Sequence, residues 1–198
     1  MMADALTTGL LAAADALDAQ RDELTRLDSL QGDGDLGRTA GTIAGAIRQI
    51  LEEEAGSATP ALLLKLGSKI ASAAPSSSGT LVASAFLGAA KALREPTDTP
   101  LETGLRAAIE AVQQRGKAKP GDRTMLDAAA PALERLEQSG ADLDGAALAA
   151  EGGIEATRTM EAKIGRARFL AGNAAGEPDP GAVMIGTALA AALRAVAG

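Results

Sequence analysis

Cysteine and histidine are both absent from this 198-residue chain. Without cysteine there are no disulfides, thiolate zinc sites or cysteine nucleophiles. Without histidine there is no imidazole metal ligand, no Ser-His dyad and no phosphohistidine. Tryptophan and tyrosine are missing too, and Phe86 and Phe169 are the only aromatic side chains. A stacking platform for single-stranded nucleic acid is excluded on that ground. Basic residues are outnumbered, 19 Lys and Arg against 26 Asp and Glu, for a formal net charge of −7. That balance argues against any broad contact with a nucleic-acid backbone. Chemistry is left to carboxylates, hydroxyls, Lys, Arg and the backbone, a palette suited to a metal–phosphate site.

Export and membrane signals are lacking as well. The N-terminus, Met1-Met2-Ala3-Asp4-Ala5, has no positive charge ahead of its apolar stretch. The longest uncharged stretches are Ile70–Ala90, broken by Pro75, Gly79 and a run of serines, and Gly181–Leu193, which is too short to cross a bilayer. The chain reads as one soluble cytoplasmic domain, 1–198, with neither nucleic acid nor membrane as partner.

What is abundant is alanine, 47 residues and close to a quarter of the chain, and alanine is the best intrinsic helix former. No segment alternates apolar and polar residues for long, as strands would. The expectation is an all-α domain. Apolar spacing and breakers place eight helical segments: Ala3–Leu27, Arg38–Glu53, Pro60–Ser72, Gly79–Leu93, Pro100–Gln114, Asp122–Gln138, Leu143–Ala162 and Gly181–Ala197. If eight such helices run alternately up and down, the links after the first, third, fifth and seventh share one end. Those links, Asp28–Gly37, Ala73–Ser78, Arg115–Gly121 and Lys163–Pro180, hold most of the clustered Gly, Asp and Pro. Function usually sits on loops held by a rigid scaffold, so the pattern predicts a single functional end.

The first of these links carries three carboxylates within eight positions, Asp28, Asp33 and Asp35, interleaved with Gly32, Gly34 and Gly37. Unpaired, three such charges repel. Glycines let the backbone turn sharply enough for the carboxylates to converge. A hard divalent cation with oxygen ligands accounts for both features, Mg²⁺ especially, which binds through a few carboxylates plus substrate phosphates. The alternative is a solvated acidic turn capping the next helix. Gly32-x-Gly34-x-x-Gly37 also fits a dinucleotide fingerprint, but that motif needs a preceding strand, and here a helix precedes it. A calcium loop fails because its last position would be Ala44 instead of Glu. The second link leads through Ser76-Ser77-Ser78-Gly79-Thr80 into a helix start, which is either an anion site or an ordinary N-cap. The third, read on to Asp127, mixes Arg115, Lys117, Lys119 and Arg123 with a turn and a capped helix start, or is simply a charged surface loop. The fourth places Arg166 in a long Gly-rich link, where its planar fork could meet a phosphate.

Taken together, Asp28-x4-Asp33-x-Asp35-x-Gly37, Arg115-Gly116-Lys117-Ala118-x-Pro120-Gly121-Asp122-x-Thr124-Met125-x-Asp127, Gly165-Arg166-Ala167 and Asp179-Pro180-Gly181-Ala182 resemble the nucleotide-binding L subunit of dihydroxyacetone kinase. The resemblance covers nearly the whole chain in the right order. It implies an eight-helix antiparallel barrel with ADP or ATP at one rim and two Mg²⁺ ions on Asp28, Asp33 and Asp35. It implies further that Leu36, Gly37, Arg38 and Thr39 contact the nucleotide through the glycine loop, and that Ser77 and Ser78 contact phosphates. Gly116 and Met125 would lie near the adenine, while Arg166 and Asp179-Pro180-Gly181 would belong to the segment closing over the nucleotide. Asp28, Asp33, Asp35 and Arg166 are then the catalytic candidates.

The family's ketose sits on a separate K subunit that docks onto the nucleotide end. Its phosphoryl donor is either exchanging ATP or a phosphohistidine carrier of the phosphotransferase system. Two departures stand out: Leu36 occupies a position that is His in many relatives, and Pro75 and Ser76 stand where glycine is common. The implied function is a kinase subunit for dihydroxyacetone or another short ketose such as erythrulose. A nucleotide-sensing interaction module is the alternative, and a homodimer is compatible with either.

Overall fold

The computed structural model describes residues 2–140, 142–165, 167–169 and 176–198, with side chains from Asp4 onward. Among these residues there are nine α-helices and no strand: α1 Met2–Ala19, α2 Arg21–Gln31, α3 Leu36–Glu53, α4 Thr59–Ala73, α5 Ser77–Ala92, α6 Pro100–Gly116, α7 Leu126–Ser139, α8 Leu143–Ala156 and α9 Pro180–Ala197. Two single turns, Thr157–Thr159 and Ala167–Phe169, complete the described chain. The fold is all-helical, as the composition predicts.

Eight expected segments become nine because the first divides at Gln20, where the backbone leaves helical angles (φ −94°, ψ 1°). The cause lies in packing. The Arg21 carbonyl just beyond the break accepts the Thr25 hydroxyl at 2.9 Å, a back-bond that bends helices. It also lies so close to the start of α3 that a Cβ on Gly37 would sit 2.1 Å from it. Only glycine permits α2 and α3 to meet there. Two further boundaries move inward. Asp122–Met125 form a turn closed by side chains instead of the first turn of α7, and Thr157 ends α8 early by donating its hydroxyl to the Ile154 carbonyl at 2.6 Å.

Helix faces follow the apolar spacing. In α3, Ile43, Ile47 and Ile50 fall on one side and are all buried. Pro60, Pro100 and Pro180 open α4, α6 and α9, where the missing N–H costs nothing. From α3 onward each helix packs on its successor, α1 packs on α3, and α9 packs on both α8 and α1. The result is a closed ring, with α2 laid against the start of α3. Within the ring lies an apolar cavity of about 520 Å³ that opens to the surface, lined among others by Leu10, Val82, Phe86, Ile109, Met125 and Ile185.

The uncharged stretch near the C-terminus extends further as a helix than its run of apolar residues suggests. α9 is long and apolar enough to cross a membrane by length and composition. In the ring its Ala182, Val183, Met184, Gly186, Ala190 and Leu193 are buried against α1 and α8.

Candidate functional site

The acidic loop joins α2 to α3. Asp28 lies in the last turns of α2, and the chain reverses through Gly32 and Gly34 (φ +74°) before Asp35 starts α3. The reversal brings the Asp35 and Leu36 N–H groups to Asp28 Oδ2, at 2.9 and 3.2 Å. A Cβ on Gly32 would meet Asp28 Oδ1 at 2.2 Å. One carboxylate oxygen each from Asp28, Asp33 and Asp35 lies within 4.8 Å of the other two. Asp28 and Asp35 are half-buried and Asp33 is exposed. Three anions at that spacing repel unless a cation lies between them, and the donor set is the hard oxygen set that Mg²⁺ takes. The residues therefore fit the ion implied by the sequence.

The neighbouring predicted contacts divide. Leu36 buries its side chain in the core, and Gly37 is spent on the contact with α2. Arg38 is exposed and reaches Asp35 Oδ2 at 3.3 Å. Thr39 is buried, with its hydroxyl 3.1 Å from Ser76 Oγ. Ser76 also caps α5 by accepting the Gly79 N–H at 3.1 Å. The hydroxyl-rich link is thus an N-cap, and it is tied to the acidic loop. Ser77 is exposed and Ser78 half-buried in the first turn of α5, and neither hydroxyl is hydrogen-bonded among the described residues.

The link from α6 to α7 is held from within. Asp127 accepts the Gly121 N–H on one oxygen and the Thr124 N–H at 2.7 Å on the other. Asp122 accepts the Lys119 N–H at 3.0 Å. Between them Arg123, in the left-handed region (φ 62°), turns inward and is 5% exposed. Its Nε donates to the Thr157 carbonyl at 3.0 Å, Nη1 to Gln31 Oε1 at 3.1 Å and Nη2 to the Glu177 carbonyl at 2.8 Å.

Thr157 Oγ in turn accepts the Asp179 N–H at 2.9 Å, and Asp179 caps α9 by accepting the Ala182 N–H at 2.7 Å. Burial pushes the Asp179 carboxyl up to about 7, against the pull of the Ala182 N–H and the Arg123 guanidinium. Gly181 lies against Met125, whose N would be 3.5 Å from a Cβ there. Gly116 faces Leu81 in the first turns of α5. Lys163 binds the Gly121 carbonyl at 2.7 Å, and Arg26 on α2 forks onto Glu177 at 3.0 Å on both oxygens, holding that carboxyl below its usual range.

The four predicted links therefore meet at one end of the ring, stitched pairwise by Thr39–Ser76, Gln31–Arg123, Lys163–Gly121 and Arg26–Glu177. Arg166 lies outside the described residues. Sequence reasoning missed Gln31, Arg123 and Thr157. In the motif, position 123 reads as one more basic residue of a surface turn, and nothing local marks it as buried.

An all-helical ring with a carboxylate loop and the starts of α3, α5, α7 and α9 gathered on one rim defines a class: a closed helical domain whose polar chemistry is confined to one end. The DAK2 domain family model matches residues 30–194, and the chain belongs to that family. It is 41% identical over 184 residues to the triokinase/FMN cyclase of Homo sapiens, covering 88% of this chain and 31% of the relative. It is 36% identical over 197 residues to the L-erythrulose kinase of Pectobacterium atrosepticum, covering 92% and 33%. The dihydroxyacetone kinase of C. freundii superposes with a TM-score of 0.81 at 28% identity, over 96% of this chain and 34% of that one. The same kinase in complex with AMP-PNP and Mg²⁺ gives 0.80 over 97% and 33%. The chain spans about a third of the length of the relatives it matches.

Proposed function

We propose that residues 1–198 form the nucleotide-binding part of a small-ketose kinase, binding ADP or ATP with two Mg²⁺ ions and passing a phosphoryl group to a ketose held by a K-type partner in the cytoplasm. The observation that carries this reading is the convergence of Asp28, Asp33 and Asp35 within 4.8 Å. It is supported by likeness to a kinase that takes AMP-PNP and Mg²⁺ and by relatives named for dihydroxyacetone and erythrulose.

Phosphoryl transfer asks the protein mainly for positioning and charge neutralisation. Asp28 is held for the task by two backbone N–H groups on Oδ2, and one of its oxygens lies within 4.8 Å of those of Asp33 and Asp35. Bound Mg²⁺ supplies neutralisation of the phosphate chain and of charge developing at the β–γ bridge. Ser77, Ser78 and the free N–H groups opening α5 donate to phosphate oxygens, and Arg166 adds a planar donor pair. Met125 and Gly116 shape the base end together with Asp179-Pro180-Gly181. The acceptor hydroxyl is the ketose's own, brought by the partner, and with no histidine this chain supplies no imidazole base or nucleophile.

Reconstitution tests the reading. The full chain is mixed with Mg²⁺, ATP, a K-type ketose-binding protein and either dihydroxyacetone or erythrulose, and phosphorylated ketose is measured. Product that requires every component is expected. Tight Mg-nucleotide binding without turnover, with every K-type protein and with a phosphohistidine carrier as donor, would favour a nucleotide-sensing module instead.

A further inference from the structure

We infer that Arg123 is a positioning residue that fixes the metal-loop half of the site against the half built from Met125 and the start of α9. This rests on the nucleotide reading above and adds to it the means by which the two halves keep their spacing.

Three observations converge on this residue. First, its backbone is in the left-handed region (φ 62°), uncommon for a non-glycine residue, and, unlike exposed Lys117, which takes the same conformation at the end of α6, it is buried. Second, its fork joins three segments distant in sequence: Gln31, Thr157 and Glu177. Gln31 immediately precedes Gly32 of the acidic loop. Thr157 and Glu177 both lead into Asp179, and Arg123 itself lies two residues before Met125. Third, Gln31 is 3% exposed and its Nε2 has no hydrogen-bond partner among the described residues. Its amide is held by the guanidinium alone, and a buried donor is left unsatisfied to keep that joint. A group in that state in a folded protein calls for a reason beyond stability.

A nucleotide must reach the carboxylates with its phosphates and the Met125–Gly181 side with its base. Its affinity therefore depends on the distance between the two halves, whereas a ligand of either half alone does not feel that distance. Lysine has no fork and cannot hold three acceptors in fixed directions.

The test uses the full chain in three forms, wild type, Arg123→Lys and Gln31→Met, the last breaking only the joint to the metal loop. MgADP, adenosine and Mg-pyrophosphate are each titrated as competitors of a fluorescent ADP analogue. Both variants are expected to weaken MgADP roughly tenfold or more, while adenosine and Mg-pyrophosphate each change by no more than about twofold. If all three ligands weaken together, or if MgADP is unaffected in a folded variant, the inference is overturned. Should Arg123→Lys not fold, Gln31→Met decides alone. Wild-type chain that fails to bind MgADP would overturn the site reading, and this inference with it, whereas normal wild-type binding with unchanged variants removes the inference only.

Discussion

Asp142 and Asp179 do the same local job at opposite ends of the ring. Each caps a helix by accepting the N–H three residues on, Gly145 for α8 at 2.9 Å and Ala182 for α9 at 2.7 Å. Asp142 sits among plain turns, with Arg135 beside it, and its carboxyl is held below its usual range by the Gly145 N–H and then by Arg135. Asp179 is buried, and burial drives its carboxyl the other way. The contrast extends to the two ends as wholes. At Asp142's end the side-chain bonds lie at or near the surface and join side chain to side chain: Ser57 to Glu54, Thr97 with Thr103 and Arg135 to Asp142. At the other end lie all seven buried polar side chains of the described residues, Gln31, Thr39, Asp122, Arg123, Asp127, Thr157 and Asp179. Every helix end has orphan backbone groups to satisfy. Only at the rim are they satisfied out of water, where each polar group needs a partner or costs stability. One end of the ring is merely closed, and the other is cross-braced around the place where a ligand is expected.

The sharpest way to break this contrast is through pH. The folded Asp179 carboxyl titrates near 7, against 3.8 for an unperturbed group. Between those values the folded chain keeps a proton that the unfolded chain has released, so stability falls as pH rises through that window. Asp179→Asn keeps an oxygen for the Ala182 N–H and removes the titration. Its stability relative to wild type is expected to improve between pH 4 and pH 8 by up to about 4 kcal/mol, measured by urea unfolding at each pH. A parallel pair of curves would show that Asp179 is not buried as described.

Next in size is the acidic loop. Asp33→Ala removes an exposed carboxylate and should leave the helical signal intact, yet MgADP binding by calorimetry is expected to fall by ~10²-fold or more. Unchanged affinity would remove the basis of the metal assignment.

Much of this was legible from residues alone. Alanine content, the isoleucine spacing of α3 and the prolines opening α4 and α6 announce the helices. The Asp and Gly crowding between α2 and α3 announces the loop. The break at Gln20 was not legible, because Leu17, Leu24 and Leu27 continue the apolar face through it and all three are buried. Its cause is a carbonyl meeting Gly37 from another helix, which no local window contains. The late start of α7 has a similar origin: Asp122 and Asp127 spend their side chains on the turn's own N–H groups, and a helical pattern cannot reveal that choice. Arg123 was hidden for a third reason. Its burial depends on acceptors 34, 54 and 92 residues away, so its role is a property of the assembled rim.

The smallest effect belongs to the plain end, and it serves as the control for the rest. Asp142→Ala removes the α8 cap and the partner of Arg135, both in contact with water. The thermal midpoint should drop slightly and MgADP affinity should stay within about twofold of wild type, because exposed caps and ion pairs contribute little and act locally. The pH dependence should also carry the opposite sign to that of Asp179. A carboxyl depressed on folding lends stability above its unfolded pKa and loses it as pH falls, so wild type and Asp142→Ala should converge in acid while wild type and Asp179→Asn separate toward neutral pH. If Asp142→Ala instead weakened the nucleotide, the two ends would be coupled through the length of the ring, and the division between a closed end and a braced one would have to be abandoned.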